Sequence, residues 1–218
     1  CRHANLNIQG NSRTKDYKSV GGLVGLYMTR WGVTLASLSE VPLLSGVEGA
    51  LAAGLKPYGF TCRCPPPQGR GLGAAIVFPL ECNVSNLQHG ARGRFIAGDM
   101  MMPGPAEAGA GAIPITLAAA YCPVHGSHPK RASSAAFRAA ESDVANGVLR
   151  IIDRCRTSGR ALLLGTDANA IHSPLDTWST SAVPREASCL SRWIAAGLRD
   201  AFRVLHPELR VVTHYASS

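Results

Sequence analysis

The feature that most constrains this chain is a short uninterrupted apolar run, Ala161-Leu162-Leu163-Leu164, followed at once by Gly165-Thr166-Asp167-Ala168-Asn169. The run is too short for a helix and reads as a strand buried in the middle of a sheet. If the backbone stays extended beyond it, Asp167 and Asn169 point to the same side, because strand side chains alternate with period two. A carboxylate and an amide then stand together at a sheet edge, where a ligand can meet them. Gly, Asp and Asn also favour turns, so the same residues suit an ordinary exit from a strand.

The remaining chain mixes strands and helices without a repeat. A strand is expected over residues 2–8. An amphipathic helix follows over 18–31, from the spacing of Val20, Leu23, Val24, Tyr27 and Trp31, and then a strand over 33–39 ending at Glu40. Ser45-Gly46-Val47-Glu48 reads as a capping box that opens a short helix. Residues 58–62 and 73–78 read as strands on either side of a proline-rich loop. Residues 81–111, rich in Gly, Met and Arg, read as irregular strands joined by loops, and 113–122 as a strand closed by Pro123. The longest helix is expected over 132–155, with Phe137, Ala140, Val144, Val148, Ile151 and Ile152 on one face. A helix over 188–197 stops at Gly197, and 210–213 reads as a final strand. About seven strands are too many for one small sheet, so two packed sheets with helices outside are expected in a single domain over 1–218.

Charge narrows the partners. Lys and Arg number 22 against 14 Asp and Glu, a net +8 that favours a polyanionic partner such as nucleic acid or an anionic membrane. The longest apolar stretch, 108–122, is broken by Gly109, Gly111 and Pro114, so no membrane span is expected. Cys1-Arg2-His3 carries neither an initiator Met nor a signal peptide and reads as the start of a fragment of a longer product. The 7 cysteines are scattered and odd in number, and read as mostly reduced thiols of an intracellular protein. Cys62, Cys64, Cys82 and His89 match no closed zinc-site spacing.

Five polar residues stand where apolar runs stop: Asn7, Glu40, Tyr121, Asp167 and Asn169. Their segments are Leu6-Asn7-Ile8-Gln9-Gly10, Leu38-Ser39-Glu40, Ala120-Tyr121-Cys122-Pro123 and Leu164-Gly165-Thr166-Asp167-Ala168-Asn169-Ala170. With Gly71-Leu72-Gly73-Ala74-Ala75-Ile76-Val77 between the second and third, this order resembles the endonuclease/exonuclease/phosphatase (DNase-I-like) superfamily. The tail, Leu198-Arg199-Asp200-Ala201-Phe202-Arg203 through His206-Pro207 to Thr213, is similar to the endonuclease domains of non-LTR (LINE-type) retrotransposons. Thr166 departs from the family's Gly-Asp-x-Asn form. The family's closing Asp-His pair does not occur before Ser218, so the domain is expected to be C-terminally incomplete.

The resemblance implies a four-layer α/β/β/α sandwich and a Mg²⁺-dependent phosphodiesterase that nicks DNA, of retrotransposon or AP type, with Mn²⁺ able to stand in for Mg²⁺. Glu40 is then the metal carboxylate, and Asn7 orients it or touches the metal's waters. Asp167 holds or deprotonates the attacking water, Asn169 donates to a phosphate oxygen, and Tyr121 offers its hydroxyl to the charged transition state. Plainer readings stand beside these: Glu40 as a solvated strand end, Tyr121 as a core tyrosine, Asn7 as a turn cap. Arg63, Arg70, Arg92, Arg94, Lys130 and Arg131 fall in expected loops. They would either track DNA phosphates or simply solubilise the surface. Asp200 is expected to cap a helix or pair with a neighbouring arginine, and His206 to be structural. DNA, and a reverse transcriptase domain on the same polypeptide, are the implied partners, in the nucleus. A phosphoesterase acting on inositol or lipid phosphates, and a degenerate domain that binds nucleic acid without cleaving it, are the two rivals.

Overall fold

The structure is a computed structural model of the chain, and it describes residues 2–9, 16–69, 71–104, 111–123, 135–169 and 189–209. Two four-stranded sheets face each other. The first contains β1 (His3–Asn7), β2 (Leu35–Pro42), β3 (Phe60–Arg63) and β4 (Leu72–Pro79) in the order β1-β2-β4-β3. The second contains β5 (Ser85–His89), β6 (Phe95–Met102), β7 (Ile113–Tyr121) and β8 (Ala161–Asp167), paired in sequence order. The pairs β1–β2 and β7–β8 are parallel and the others antiparallel.

Alternation along the strands builds the layers. On β2, Ala36 and Leu38 face outward to α1 (Tyr17–Arg30) and α2 (Val47–Leu55), where Met28, Leu51 and Leu55 close a core. Leu35 on β2, Ala74, Ile76 and Phe78 on β4, and Ile96, Met100, Leu117 and Ala119 on the second sheet fill the space between sheets. The outer face of β7, at Ala118 and Ala120, packs on α3 (Ala135–Ser158) through Ile151, Val144 and Val148. Trp193 of α4 (Cys189–Ala195), fully buried, donates its indole N–H to the Ala145 carbonyl at 3.2 Å. The expected four-layer α/β/β/α sandwich is therefore the observed one. The six described cysteines, 62, 64, 82, 122, 155 and 189, are free thiols. No described helix is long and apolar enough to cross a membrane.

Several local expectations are corrected. Among the described residues β8 is the last strand of its sheet rather than a central one, and it is only half-buried. Its apolar run answers to cover on its two faces, by the first sheet and by α3, not to strands on both sides. Residues 81–111 contain β6, a regular strand with seven of its eight residues buried, that pairs along its length with β7. Gly98, Met100 and Met102 occupy tight positions between the sheets, while Met101 is exposed. A Cβ on Gly98 would lie 2.5 Å from a Val84 methyl carbon. The capping box does not form. Gly46 precedes α2 in a left-handed conformation with no side-chain cap, and Glu48 turns to β3 instead, accepting from the Cys64 N–H at 2.7 Å and from Arg63 at 3.2 Å. The expected strand over 210–213 lies outside the described residues.

At the far end of the second sheet a buried Asp99 on β6 is saturated. Arg154 of α3 donates to both its oxygens at 2.6 and 2.8 Å, Thr116 at 2.7 Å and Asn86 at 3.1 Å. Burial alone would push this carboxyl up, but those hydrogen bonds hold it below the usual carboxylate range.

Candidate active site

The site forms where the C-terminal ends of β1, β2, β7 and β8 meet. β1 alternates: Ala4, Leu6 and Ile8 pack toward the helices, while His3, Asn5 and Asn7 face β8 of the other sheet. This polar face runs along the seam between the sheets, with Asn5 and Asn7 still exposed to solvent. His3 Nε2 lies 2.8 Å from Ser37 Oγ, which donates to the Ala118 carbonyl at 2.9 Å, and burial depresses the His3 pKa. Asn5 donates to the Thr166 carbonyl at 2.8 Å, and Asn7 reaches Asp167 Oδ2 at 3.1 Å. The Gln9 N–H donates to Asn7 Oδ1 at 2.8 Å, which fixes the amide so that its NH₂ points at the carboxylate.

Asp167 ends β8 opposite Tyr121, the last residue of β7. The extended run expected to carry both Asp167 and Asn169 to one side stops at Asp167, and Asn169 takes a left-handed backbone with φ +46°. Asn169 folds back, donating its N–H to Asp167 Oδ1 at 3.3 Å and its side-chain amide to the Cys122 carbonyl at 2.8 Å. The Cys122 N–H in turn donates to the Asp167 carbonyl at 2.9 Å. One of the two amide hydrogens of Asn169 is thus spent on the chain after β7, and the other is what it has for a ligand.

Glu40 is not a strand end, as its place after an apolar run suggested. It sits inside β2 at a bulge, skipped by the ladder between Ser39 and Val41, with φ +57°. A left-handed glutamate is strained, and bulges re-aim side chains beside active sites. Four described non-glycine residues have positive φ, and three of them, Gln9, Glu40 and Asn169, ring this end of the sandwich. Tyr121 is 5 % exposed. Burial raises its pKa, the negative charges of Glu40 and then Asp167 raise it further, and Arg94 opposes them. Its hydroxyl therefore stays protonated at neutral pH and can donate.

The basic residues divide. Arg63 ends β3 and pairs with Glu48 at 3.2 Å, and Arg92 is exposed in the turn before β6; both are at the same end as Asn7 and Asp167. Arg94, expected as a loop residue, is turned inward with its guanidinium 5.1 Å from the Tyr121 ring centroid. Arg70, Lys130 and Arg131 lie outside the described residues. Asp200 caps α5 (Ala201–Leu205) by accepting from the Arg203 N–H at 3.1 Å, and the His206 ring packs on Phe202, both as expected.

No protein-family model matches the sequence, and no curated protein does. Solved structures do. The 3′ phosphatase NExo from Neisseria, bound to product DNA hairpin, superposes with a TM-score of 0.65 at 18% identity, covering 94% of this chain and 74% of that one. The AP endonuclease LMAP from Leishmania major gives 0.67 at 14%, covering 94% and 69%. An endonuclease/exonuclease/phosphatase family protein from Bacteroides thetaiotaomicron gives 0.50 at 8%, covering 76% and 62%. The chain has the DNase-I-like fold. The expected sandwich is borne out at that level, and the DNase-I-like neighbours include nucleases and phosphatases.

Within the DNase-I-like fold the groups gathered here are the carboxylates of Glu40 and Asp167 and the amide of Asn7, whose NH₂ faces Asp167 and whose oxygen accepts from the Gln9 N–H. No group of three or more His, Cys, Asp or Glu side chains able to hold a metal occurs among the described residues. Two carboxylates and an amide suit a hard cation that keeps most of its waters, and they do not suit zinc. Sequence reasoning missed the left-handed glutamate, the Gln9 N–H that aims Asn7, and the Cys122 carbonyl that anchors Asn169. Only the run of Tyr121, Cys122 and Pro123 at a strand end hinted at the last.

Proposed function

We propose that this domain is a Mg²⁺-dependent phosphodiesterase that nicks DNA. The observation that carries the proposal is the convergence of Asn7, Glu40, Tyr121, Asp167 and Asn169, drawn from four strands, on one end of a DNase-I-like sandwich, with three strained residues holding them. Asp167, its two oxygens engaged by Asn7 and Asn169, is an oriented base for a water that attacks phosphorus. Tyr121 donates to the oxygen on which charge grows, and the remaining N–H of Asn169 donates to a second phosphate oxygen. Glu40 and Asn7 would hold Mg²⁺, or Mn²⁺ in its place, and the bound cation would neutralise phosphate charge and stabilise the leaving oxygen. Arg63 and Arg92, with Arg70, Lys130 and Arg131, supply positive charge along a DNA backbone. The retrotransposon assignment, with a reverse transcriptase domain on the same polypeptide and a nuclear site of action, rests on the likeness of residues 198–213 to LINE-type endonucleases.

The test is nicking of supercoiled plasmid with Mg²⁺, against EDTA and against Asp167→Ala, run beside an inositol polyphosphate and a phosphoinositide. Metal-dependent nicking that the substitution abolishes supports the reading. Phosphate release from the inositol substrates alone would replace DNA as the substrate. DNA binding without turnover of any of the three would leave a degenerate binding domain and refute the enzyme.

A further inference from the structure

Resting on the phosphoesterase reading, we propose that Arg94 is a positioning residue for Tyr121: its guanidinium lies across the ring and fixes the direction in which the hydroxyl meets the phosphate. The two residues are a cross-strand pair. Arg94 stands just before β6 and Tyr121 ends β7, and the Tyr121 N–H donates to the Arg94 carbonyl at 2.8 Å. The guanidinium carbon is 5.1 Å from the ring centroid, within reach of the electron-rich face. The turn that delivers Arg94 is tight: the Gly93 N–H donates to the Gly90 carbonyl at 3.0 Å, and Gly93 has φ +64°. Gly93 has no room for a side chain, since a Cβ there would sit 2.8 Å from Leu43 Cδ1.

An arginine in this place is expensive. Its Nη1 is buried and has no hydrogen-bond partner among the described residues, and no described carboxylate forms an ion pair with it. Half-burying a guanidinium whose side-chain partner is Tyr121 itself carries a desolvation cost that a leucine or methionine would not. What the cation supplies that an apolar residue cannot is a fixed charge against the tyrosine. It opposes burial, Glu40 and Asp167, all of which resist a build-up of negative charge on the Tyr121 oxygen. The phenol is clamped by a neighbour that favours electron-rich density on the ring while its hydroxyl faces the reacting group.

The decisive experiment is a double-mutant cycle on plasmid nicking with Arg94→Met and Tyr121→Phe. Because Arg94 acts through the hydroxyl, Arg94→Met should lower kcat about tenfold with KM unchanged, and cost less than about twofold when Tyr121 is already Phe. Arg94→Lys, which keeps a cation over the ring, should restore much of kcat. An equal loss in both backgrounds, or a loss confined to KM, would overturn the role. A second measurement does not need turnover: the Arg94 Nε–H resonance of labelled protein should be shifted by the Tyr121 ring current, and the shift should vanish in Tyr121→Leu. Its absence in an active enzyme overturns the pairing alone. A wild-type protein that turns over neither plasmid nor the inositol substrates overturns the phosphoesterase reading and this role with it.

Discussion

Gly165→Ala should loosen the sandwich where β8 crosses β2. A Cβ at this position would lie 2.4 Å from Ser37 Cβ, 2.6 Å from Ser37 Oγ and 3.0 Å from His3 Cε1. Carbon atoms rest about 3.5–4 Å apart, so β8 must move from β2 by about 1 Å. Ser37 cannot swing aside cheaply: it is fully buried, and its hydroxyl is held by the Ala118 carbonyl and by His3. Overpacking of this kind costs about 1–3 kcal/mol, and disturbing the Ser37 hydrogen bond adds about 1 kcal/mol. At about 2–4 °C per kcal/mol for a chain of this size, Tm should fall by roughly 4–16 °C. Gly165 is two residues from Asp167, so the same movement draws the carboxylate from Asn7 and nicking should fall with stability. The assay is thermal and urea unfolding of Gly165→Ala, Ser37→Gly and the double variant. The alanine should cost less once Ser37 is Gly, because the atoms it strikes are gone. Strictly additive costs, or a Gly165→Ala protein as stable as wild type, would refute the close approach of the two sheets.

Asn7→Ala should lower kcat for nicking about tenfold, the worth of one hydrogen bond to a carboxylate, with little change in Tm because Asn7 is exposed. Steady-state nicking beside a melting curve separates the two effects. Asp99 has a depressed pKa in the folded state, so its contribution is present above the usual carboxylate range, about pH 4, and is lost as pH falls through the lower folded value. Asp99→Asn should therefore be less stable at neutral pH and show a shallower loss of Tm below about pH 5. Arg92→Ala should reduce the slope of log affinity for duplex DNA against log salt by about 1. Arg63→Ala should reduce it by less, because Glu48 already shares that charge.

The architecture was legible because it follows from local patterns. The three- and four-residue spacing in α3 and the apolar runs of β4, β7 and β8 reflect burial of a face, which a sequence records directly. In α1 the helix forms but the expected stripe is not its buried face: Leu23, Tyr27 and Trp31 are exposed, and Gly21, Val24, Gly25 and Met28 are buried instead, because Gly21 lets α2 approach the backbone closely. Two further local signals misled. Ser45 and Glu48 have the spacing of a capping box, yet β3 offers Glu48 a guanidinium and a free N–H, and the helix start cannot compete with that. Residues 81–111 looked irregular because Gly98 and Met100 are close-packed against the other sheet, a demand that overrides β propensity.

The sequence by itself determined which polar side chains the candidate site draws on, Asn7, Glu40, Tyr121, Asp167 and Asn169, and that two sheets must carry them. Tertiary structure alone decided their geometry. The polar face of β1 meets β8 across 160 residues of chain, so Asn7 finds Asp167 only when the sheets close. Glu40 reaches the site through a left-handed bulge that no glutamate would adopt unaided, and Arg94 leaves the surface for the ring of Tyr121. Such contacts depend on packing between segments remote in sequence, and periodicity within a segment carries no record of them.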